Sequence, residues 1–356
     1  MPVIVRLSGI ALSKSVGGAE VPTRERQQFP WEDREGTSRV HCHVAPINAG
    51  LPVPLGRFIF RSYGPPLPGA VRWRQNRGML TRSSGYLTLT DPVASTVESL
   101  LSDGYAKLDG VFDEEELAAL CADVERVFEE YPPDDRGDAP EQSAPFRYEM
   151  LNRSSVVQRA IAHPRILEIV EPLLGEDCHV IANTAWWQHP GDNEHLGRFW
   201  HTDSGPHVPR ESSVPWDPRI PYPVFAIAAH LYLWDCPLEA GPTGVIPGSH
   251  TSGQAPPWER LADDDLKWQG RGAIPIEAEA GDVALIVSDI WHRRMPLGSE
   301  DPGRMFVQCH YGRRDIAQRI RPTSVVNHLS KEALARARTQ RERTLVGIHP
   351  LGFYDG

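Results

Sequence analysis

Two hydrophobic periods divide the chain. In DEEELAALCADVERVFEEY, Leu117, Leu120, Cys121, Val124, Val127 and Phe128 recur every three or four positions. That spacing gathers them on one stripe of an α-helix, with charged side chains opposite. Asp113 precedes the run as an N-cap, acids fill the first turn, and Pro132 and Pro133 stop it. A second helical stretch runs through SSVVQRAIAHPRILEIVEPLLG, interrupted near Pro164 and closed by Gly175. Beyond Gly175 the pattern shortens into strand-like runs: HVIANTAWWQ (179–188), VFAIAAHLYLW (224–234), AIPIEA (273–278), DVALIVS (282–288) and RMFVQCHYG (304–312). Gly- and Pro-rich turns separate them, as in a sandwich or jelly roll. SKEALARARTQRER (330–343) is rich in helix formers and predicts a last helix. The fold class is therefore mainly β with flanking helices.

Residues 1–82 show no sustained period and are rich in Pro, Gly and Arg, as in YGPPLPGAVRWRQNRG. They read as an irregular N-terminal extension ahead of a domain spanning 83–345. Up to residue 80 there are 11 Lys and Arg against 5 Asp and Glu, so the net charge of −10 arises entirely in the domain. An acidic domain is a poor nucleic-acid surface, because phosphates are neutralised by clustered Lys and Arg. No apolar run reaches the roughly 20 residues of a membrane helix. Five scattered cysteines without a C-x-x-C pair argue for a reducing, cytoplasmic setting rather than a disulfide framework. The tract His41-Cys42-His43 lacks partners at zinc spacing.

Candidate chemistry begins at RFWHTDS (198–204). In an extended segment, His201 and Asp203 project from the same side. The pair is either part of a metal site or polar decoration on an exposed strand. A divalent iron site with open positions takes two imidazoles and one carboxylate on one face. Downstream histidines are His207, His230, His250, His292, His310, His328 and His349. Of these, His292 follows a predicted buried strand in GDVALIVSDIWHRRMP, and Arg304 opens the next strand 12 residues later. An arginine beside a metal can hold the carboxylate of an acidic cosubstrate through its planar fork.

The order H-x-D, then His292, then Arg304, inside a β-rich region, resembles the phytanoyl-CoA dioxygenase family of iron(II)/2-oxoglutarate-dependent oxygenases. DGYAKLDGVFDEEELAAL, DCPLEAGPTGVIPGSH and AGDVALIVSDIWHR resemble the family's helical entry, its turn ending in P-G-S-H, and the strand carrying its second histidine. The resemblance spans about residues 95–315. It implies a double-stranded β-helix core, also called a cupin-like jelly roll. It implies Fe(II) held by His201, Asp203 and His292, with O2 and 2-oxoglutarate as cosubstrates and Arg304 on the distal carboxylate of 2-oxoglutarate. Asn183 matches a position where the family often places an amide near this cosubstrate, and His230 one where some members set a side chain against it. The implied reaction is hydroxylation of a C–H bond in a small molecule, with release of succinate and CO2. Desaturation, epoxidation or ring formation would use the same residues. Related halogenases replace the carboxylate with a small residue, so Asp203 favours hydroxylation over halogenation. A zinc-type or non-catalytic cupin-like binding protein would share the strand pattern but has no need of Arg304.

One departure concerns the residue two after the second histidine. Some members carry a small polar residue there, and this chain has Arg294. Arg293 and Arg294 stand open as contacts to an acidic substrate or as solvated cations. The loop SGPHVPRESSVPWDPRIPYP (204–223) is long enough to be a lid, with His207, Arg210, Trp216, Arg219 and Tyr222 as candidate substrate contacts. A second loop, 250–272, is a candidate for the opposite wall.

Overall fold

The computed structural model describes residues 80–83, 86–89, 91–133, 144–191, 197–203, 205–318 and 329–349. The chain separates into Met1–Arg72 and Trp73–Gly356, and every described residue belongs to the second unit. The stretch read as an irregular extension lies outside the described residues except for its end. There, strand β1 (Leu80–Ser83) pairs antiparallel with β2 (Tyr86–Leu89). His41 and Cys42 also lie outside them.

Helices come first. They are α1 (Asp91–Ser102), α2 (Glu114–Glu130), α3 (Met150–Arg153), α4 (Ser155–Ala160) and α5 (Pro164–Leu174). α2 starts with a complete capping box: the Asp113 side chain accepts from Glu116 N, and the Glu116 side chain accepts from Asp113 N. Its stripe buries Leu120, Val124 and Val127. The predicted break near Pro164 exists because His163 caps α5 and Pro164 takes its first turn. The predicted last helix divides into α6 (Lys331–Arg336) and α7 (Gln340–Leu345). Thr339 and Glu342 form a second capping box, which starts a new helix and interrupts the first.

The core is a double-stranded β-helix of two antiparallel sheets. The large sheet has the order β3-β9-β6-β11-β5-β4. Its strands are β3 (Tyr105–Leu108), β9 (Val283–Val287), β6 (Ala226–Tyr232), β11 (Arg304–Gly312), β5 (His179–Gln188) and β4 (Phe146–Tyr148). The small sheet has the order β10-β7-β8, from β10 (His292–Arg294), β7 (Thr243–Val245) and β8 (Ile274–Pro275). Four strands of three or four residues, β3, β4, β7 and β10, carry too few positions for a period to show in sequence.

Alternation along the central strands sets the two faces of the large sheet. Ile227, Ala229 and Leu231 of β6, Val283, Leu285 and Val287 of β9, and Met305, Val307 and Cys309 of β11 pack with the helices. Each such fully buried aliphatic side chain contributes roughly 1.5–3 kcal/mol. Tyr311 joins this layer, and its hydroxyl donates to Ile161 O at 2.7 Å. The intervening residues Ala228, Tyr232, Ala284, Ile286 and Phe306 face the small sheet and pack with Val245. The polar residues of that inner face, His230, Arg304, Gln308 and His310, are thereby aimed between the sheets.

Candidate metal centre and its anion pocket

His201 and His292 meet through backbone pairing. The N–H of each donates to the carbonyl of the other at 3.0 Å. Asp203 N donates to Ser288 O at 3.2 Å, holding the carboxylate residue against the segment that leads to His292. Of the two aromatics before His201, Trp200 is core. Its N–H donates to Leu261 O, its indole to Asp263 O, and the Arg293 guanidinium lies over its ring. Phe199 is 60% exposed.

Both imidazoles are oriented by carbonyls two residues upstream. Nδ1 of His201 lies 2.8 Å from Phe199 O, and Nδ1 of His292 lies 3.0 Å from Ile290 O. A carbonyl can only accept, so each Nδ1 carries the proton and each Nε2 is left with a lone pair. Those lone pairs converge on Asp203. His292 Nε2 is 3.3 Å and His201 Nε2 is 3.8 Å from Asp203 Oδ1. Among the described residues these three side chains form a cluster able to hold a metal ion, their ligand atoms all within 4.8 Å of one another. Two neutral imidazoles and one carboxylate suit a divalent transition ion with open positions. Burial pushes the Asp203 carboxyl up, but the imidazoles of His292, His310 and His201 hold it well below the usual carboxylate range when they carry a proton. A metal ion would take over that positive charge with the imidazoles neutral. The His201 side chain is 46% exposed, against 19% for Asp203 and 7% for His292, so the site opens on the His201 side.

Arg304 reaches the same interior from the start of β11. It is 5% exposed, with Nε donating to Gln188 Oε1 and one terminal nitrogen to Gly241 O at 2.9 Å. No carboxylate among the described residues pairs with it, and burial pushes its guanidinium down from the usual arginine range. A buried cation without a counter-ion is costly, which fits a pocket for an anionic ligand. Two further buried nitrogens nearby, Gln188 Nε2 and His230 Nε2, have no protein partner. His230 lies opposite Gln308 in the sheet register and faces the small sheet, with Nδ1 3.4 Å from Thr243 Oγ1. Burial pushes this imidazole down to about 3, so it is neutral at physiological pH.

Asn183 departs from expectation. In register it opposes Cys309, a residue of the helix-facing layer, so its side chain leaves the sheet on the side away from the metal cluster. Its Oδ1 accepts from Leu151 N at 3.2 Å, which ties α3 to the sheet. Over residues 183–188, where the register with β11 does not shift, the two-residue period of β5 instead turns Thr184, Trp186 and Gln188 inward, opposite Gln308, Phe306 and Arg304. Trp186 stacks on Phe306 and donates to Gln308 Oε1 at 3.1 Å. His310, to which the sequence assigned no role, enters the site with Nε2 3.8 Å from Asp203 Oδ2. Counting by twos from Arg304 would have found both Gln308 and His310.

The candidate lid is braced by Asp289 from outside it and by contacts of its own. Asp289 Oδ1 accepts from both the N–H and Nδ1 of His207 at 2.9 Å. Arg210 lies over Trp216, and Arg219 pairs with Asp217. Arg210, Trp216, Arg219 and Tyr222 line a cleft of about 730 Å³ that none of the metal-cluster residues lines. The second loop contributes Leu261 and Asp263 to hold Trp200, and Asp264 to pair with Arg293. Arg293 therefore faces this loop, while Arg294 turns inward and donates to Ala240 O at 3.4 Å.

The family model described as phytanoyl-CoA dioxygenase (PhyH) matches residues 100–304. Among curated proteins, the ectoine dioxygenase of Bordetella bronchiseptica is 27% identical over 186 residues. The match takes in 48% of this chain and 57% of that protein, and the same values hold for the ectoine dioxygenase of Bordetella parapertussis. The chain thus spans little more than half the length of these relatives. Among solved structures, EctD from S. alaskensis with 2-oxoglutarate and 5-hydroxyectoine superposes with a TM-score of 0.50 at 20% identity. That superposition covers 67% of this chain and 78% of EctD, and it is a likeness of fold.

Proposed function

Because the chain belongs to the phytanoyl-CoA dioxygenase family, we propose that it is a non-haem Fe(II)/2-oxoglutarate-dependent dioxygenase that hydroxylates a C–H bond of a small molecule. The observation that carries this reading is the convergence of two carbonyl-oriented Nε2 atoms on one carboxylate, beside a buried arginine that pairs with no carboxylate among the described residues. In this reading His201, Asp203 and His292 hold the iron, and Arg304 binds the distal carboxylate of 2-oxoglutarate. When bound, the metal would supply activation of O2, of which one oxygen atom oxidises 2-oxoglutarate to succinate and CO2 and the other becomes the alcohol oxygen.

The protein's own part is positional. Phe199 O and Ile290 O keep the proton on Nδ1 of each ligand histidine, so neither imidazole swings or switches tautomer. Gln188 fixes the Arg304 fork. Trp186, Phe306 and the small sheet wall the interior from water. The open His201 side is where a substrate would approach, and its placement there decides between hydroxylation and the desaturation, epoxidation or ring closure that the same residues would serve. Ectoine, named for the curated relatives, is a first compound to offer the enzyme.

The test is anaerobic titration of the apo-protein with Fe(II) and 2-oxoglutarate. A weak visible charge-transfer band should form in the wild type and be absent from His292→Ala, and added oxygen should then yield succinate only in the wild type. A wild-type protein that binds Fe(II) and gives no band would overturn the reading.

A further inference from the structure

Resting on that reading, we propose that Arg294 is a second guanidinium of the cosubstrate pocket, so that the distal carboxylate of 2-oxoglutarate is gripped by one arginine from each sheet. The register of the small sheet decides where Arg294 points. In an antiparallel pair, directly opposed residues share a face. His292 opposes Val245, which packs between the sheets, and Arg294 opposes Thr243, whose hydroxyl reaches His230 on the large sheet. His292 and Arg294 are two apart on one strand and so lie on that same inward face. Arg293, between them, leaves on the other face toward Asp264 and Trp200.

The two guanidiniums then share one anchor. Arg294 donates to Ala240 O and Arg304 to Gly241 O, consecutive carbonyls of one turn. That turn allows the approach only because residue 241 is glycine. A Cβ there would sit 2.6 Å from Met295 O and 3.2 Å from Arg294 Nε, on a backbone at φ +63°. Both arginines are almost fully buried. Asp301 favours the charged form of both guanidiniums, and a carboxylate bound between them would take donors from both sheets. A carboxylate has two oxygens and can serve two forks at once. The distal carboxylate would then meet two cations, which makes a distal carboxylate a stronger requirement for binding.

The experiment compares two probes on the Fe(II)-loaded protein without oxygen, by calorimetry. 2-Oxoglutarate carries the distal carboxylate; 2-oxopentanoate has the same metal-binding end and lacks it. Arg294→Met should weaken 2-oxoglutarate by about 10- to 100-fold, the range for losing a hydrogen bond to a charged group, and leave 2-oxopentanoate within about twofold. Arg294→Lys should recover part of the loss, because it restores charge without the fork. If Arg294→Met does not fold, Arg294→Lys and Arg294→Ser are compared in its place. Equal weakening of both probes, or of neither, overturns the proposal. A wild-type protein that binds neither probe overturns the oxygenase reading itself, whereas one that binds 2-oxoglutarate normally while every Arg294 variant matches it sinks only the role of Arg294.

Discussion

Asp289 joins the metal cluster to the long loop, and its removal should loosen both. The carboxylate is buried, and one oxygen accepts the N–H and the Nδ1–H of His207, each at 2.9 Å. Tyr222 OH stands 3.5 Å from the other oxygen. Gly205 passes so close that a Cβ would lie 2.0 Å from Asp289 Oδ1. Gly205 and His207 lie two and four positions after Asp203, and Asp289 itself precedes His292 by three positions. Asp289→Ala removes two hydrogen bonds to a charged group, each worth about 1.5–3 kcal/mol, and strands a part-buried N–H. The expected cost is about 3–5 kcal/mol, which for a domain of this size lowers Tm by roughly 6–20 °C. Asp289→Asn keeps an acceptor in place and should cost about 1–2 kcal/mol. Thermal melting of the apo-protein reads the stability, and Fe(II) titration reads the site, where affinity should fall in the alanine variant and largely return in the asparagine one. If Asp289→Ala melts within about 2 °C of wild type, the loop is held by its prolines and not by this carboxylate.

Two further outcomes follow from the same geometry. At 2-oxoglutarate about 100 times its Kd, the metal-loaded wild type should gain about 2.7 kcal/mol, roughly 5–10 °C in Tm. Arg304→Met, with about 100-fold weaker binding, should gain only about 0.4 kcal/mol, or about 1 °C, and an unchanged shift would remove Arg304 from the pocket. Asp282 accepts from Lys107 Nζ, Gly110 N and Glu279 N, at 2.8, 2.8 and 3.0 Å. Burial pushes its carboxyl up, but these donors outweigh burial and leave it below the usual aspartate range. Since the folded value is the lower one, its stabilisation is complete above the unfolded value near about pH 3.9 and is lost as pH falls through the folded value. Asp282→Asn should therefore melt lower at neutral pH and lose less stability than wild type as pH falls below about 4; parallel pH profiles would contradict this.

Much of the fold was legible because long elements repeat their period many times. α2 shows its stripe over four turns, and β5 and β11 were bounded correctly to the residue. The H-x-D pair, the second histidine and the arginine could be listed from sequence because their order inside a β-rich region resembles that of the family, although each alone is a weak signal. Nothing local showed that His201 and His292 would exchange backbone hydrogen bonds, since the small sheet that joins them is built from strands of two or three residues. Asn183 marks the same limit from the other side. A position can be matched along a strand, but its face follows from register, and one residue's difference sends a side chain to the opposite layer.

The order of residues along the chain thus determined by itself the longer helices, the central strands of the large sheet and the list of groups able to bind a metal and an acid. Tertiary structure decided which of those groups meet. It turned His310 and Gln308 inward and Asn183 outward, set Arg294 beside Arg304, and opened the cluster on the His201 side. The reason is physical: periodicity is a property of neighbours in sequence, whereas a site is a convergence of side chains from two sheets. Only the pairing of distant segments, through backbone hydrogen bonds such as those between His201 and His292, 91 positions apart, fixes the distances over which chemistry acts.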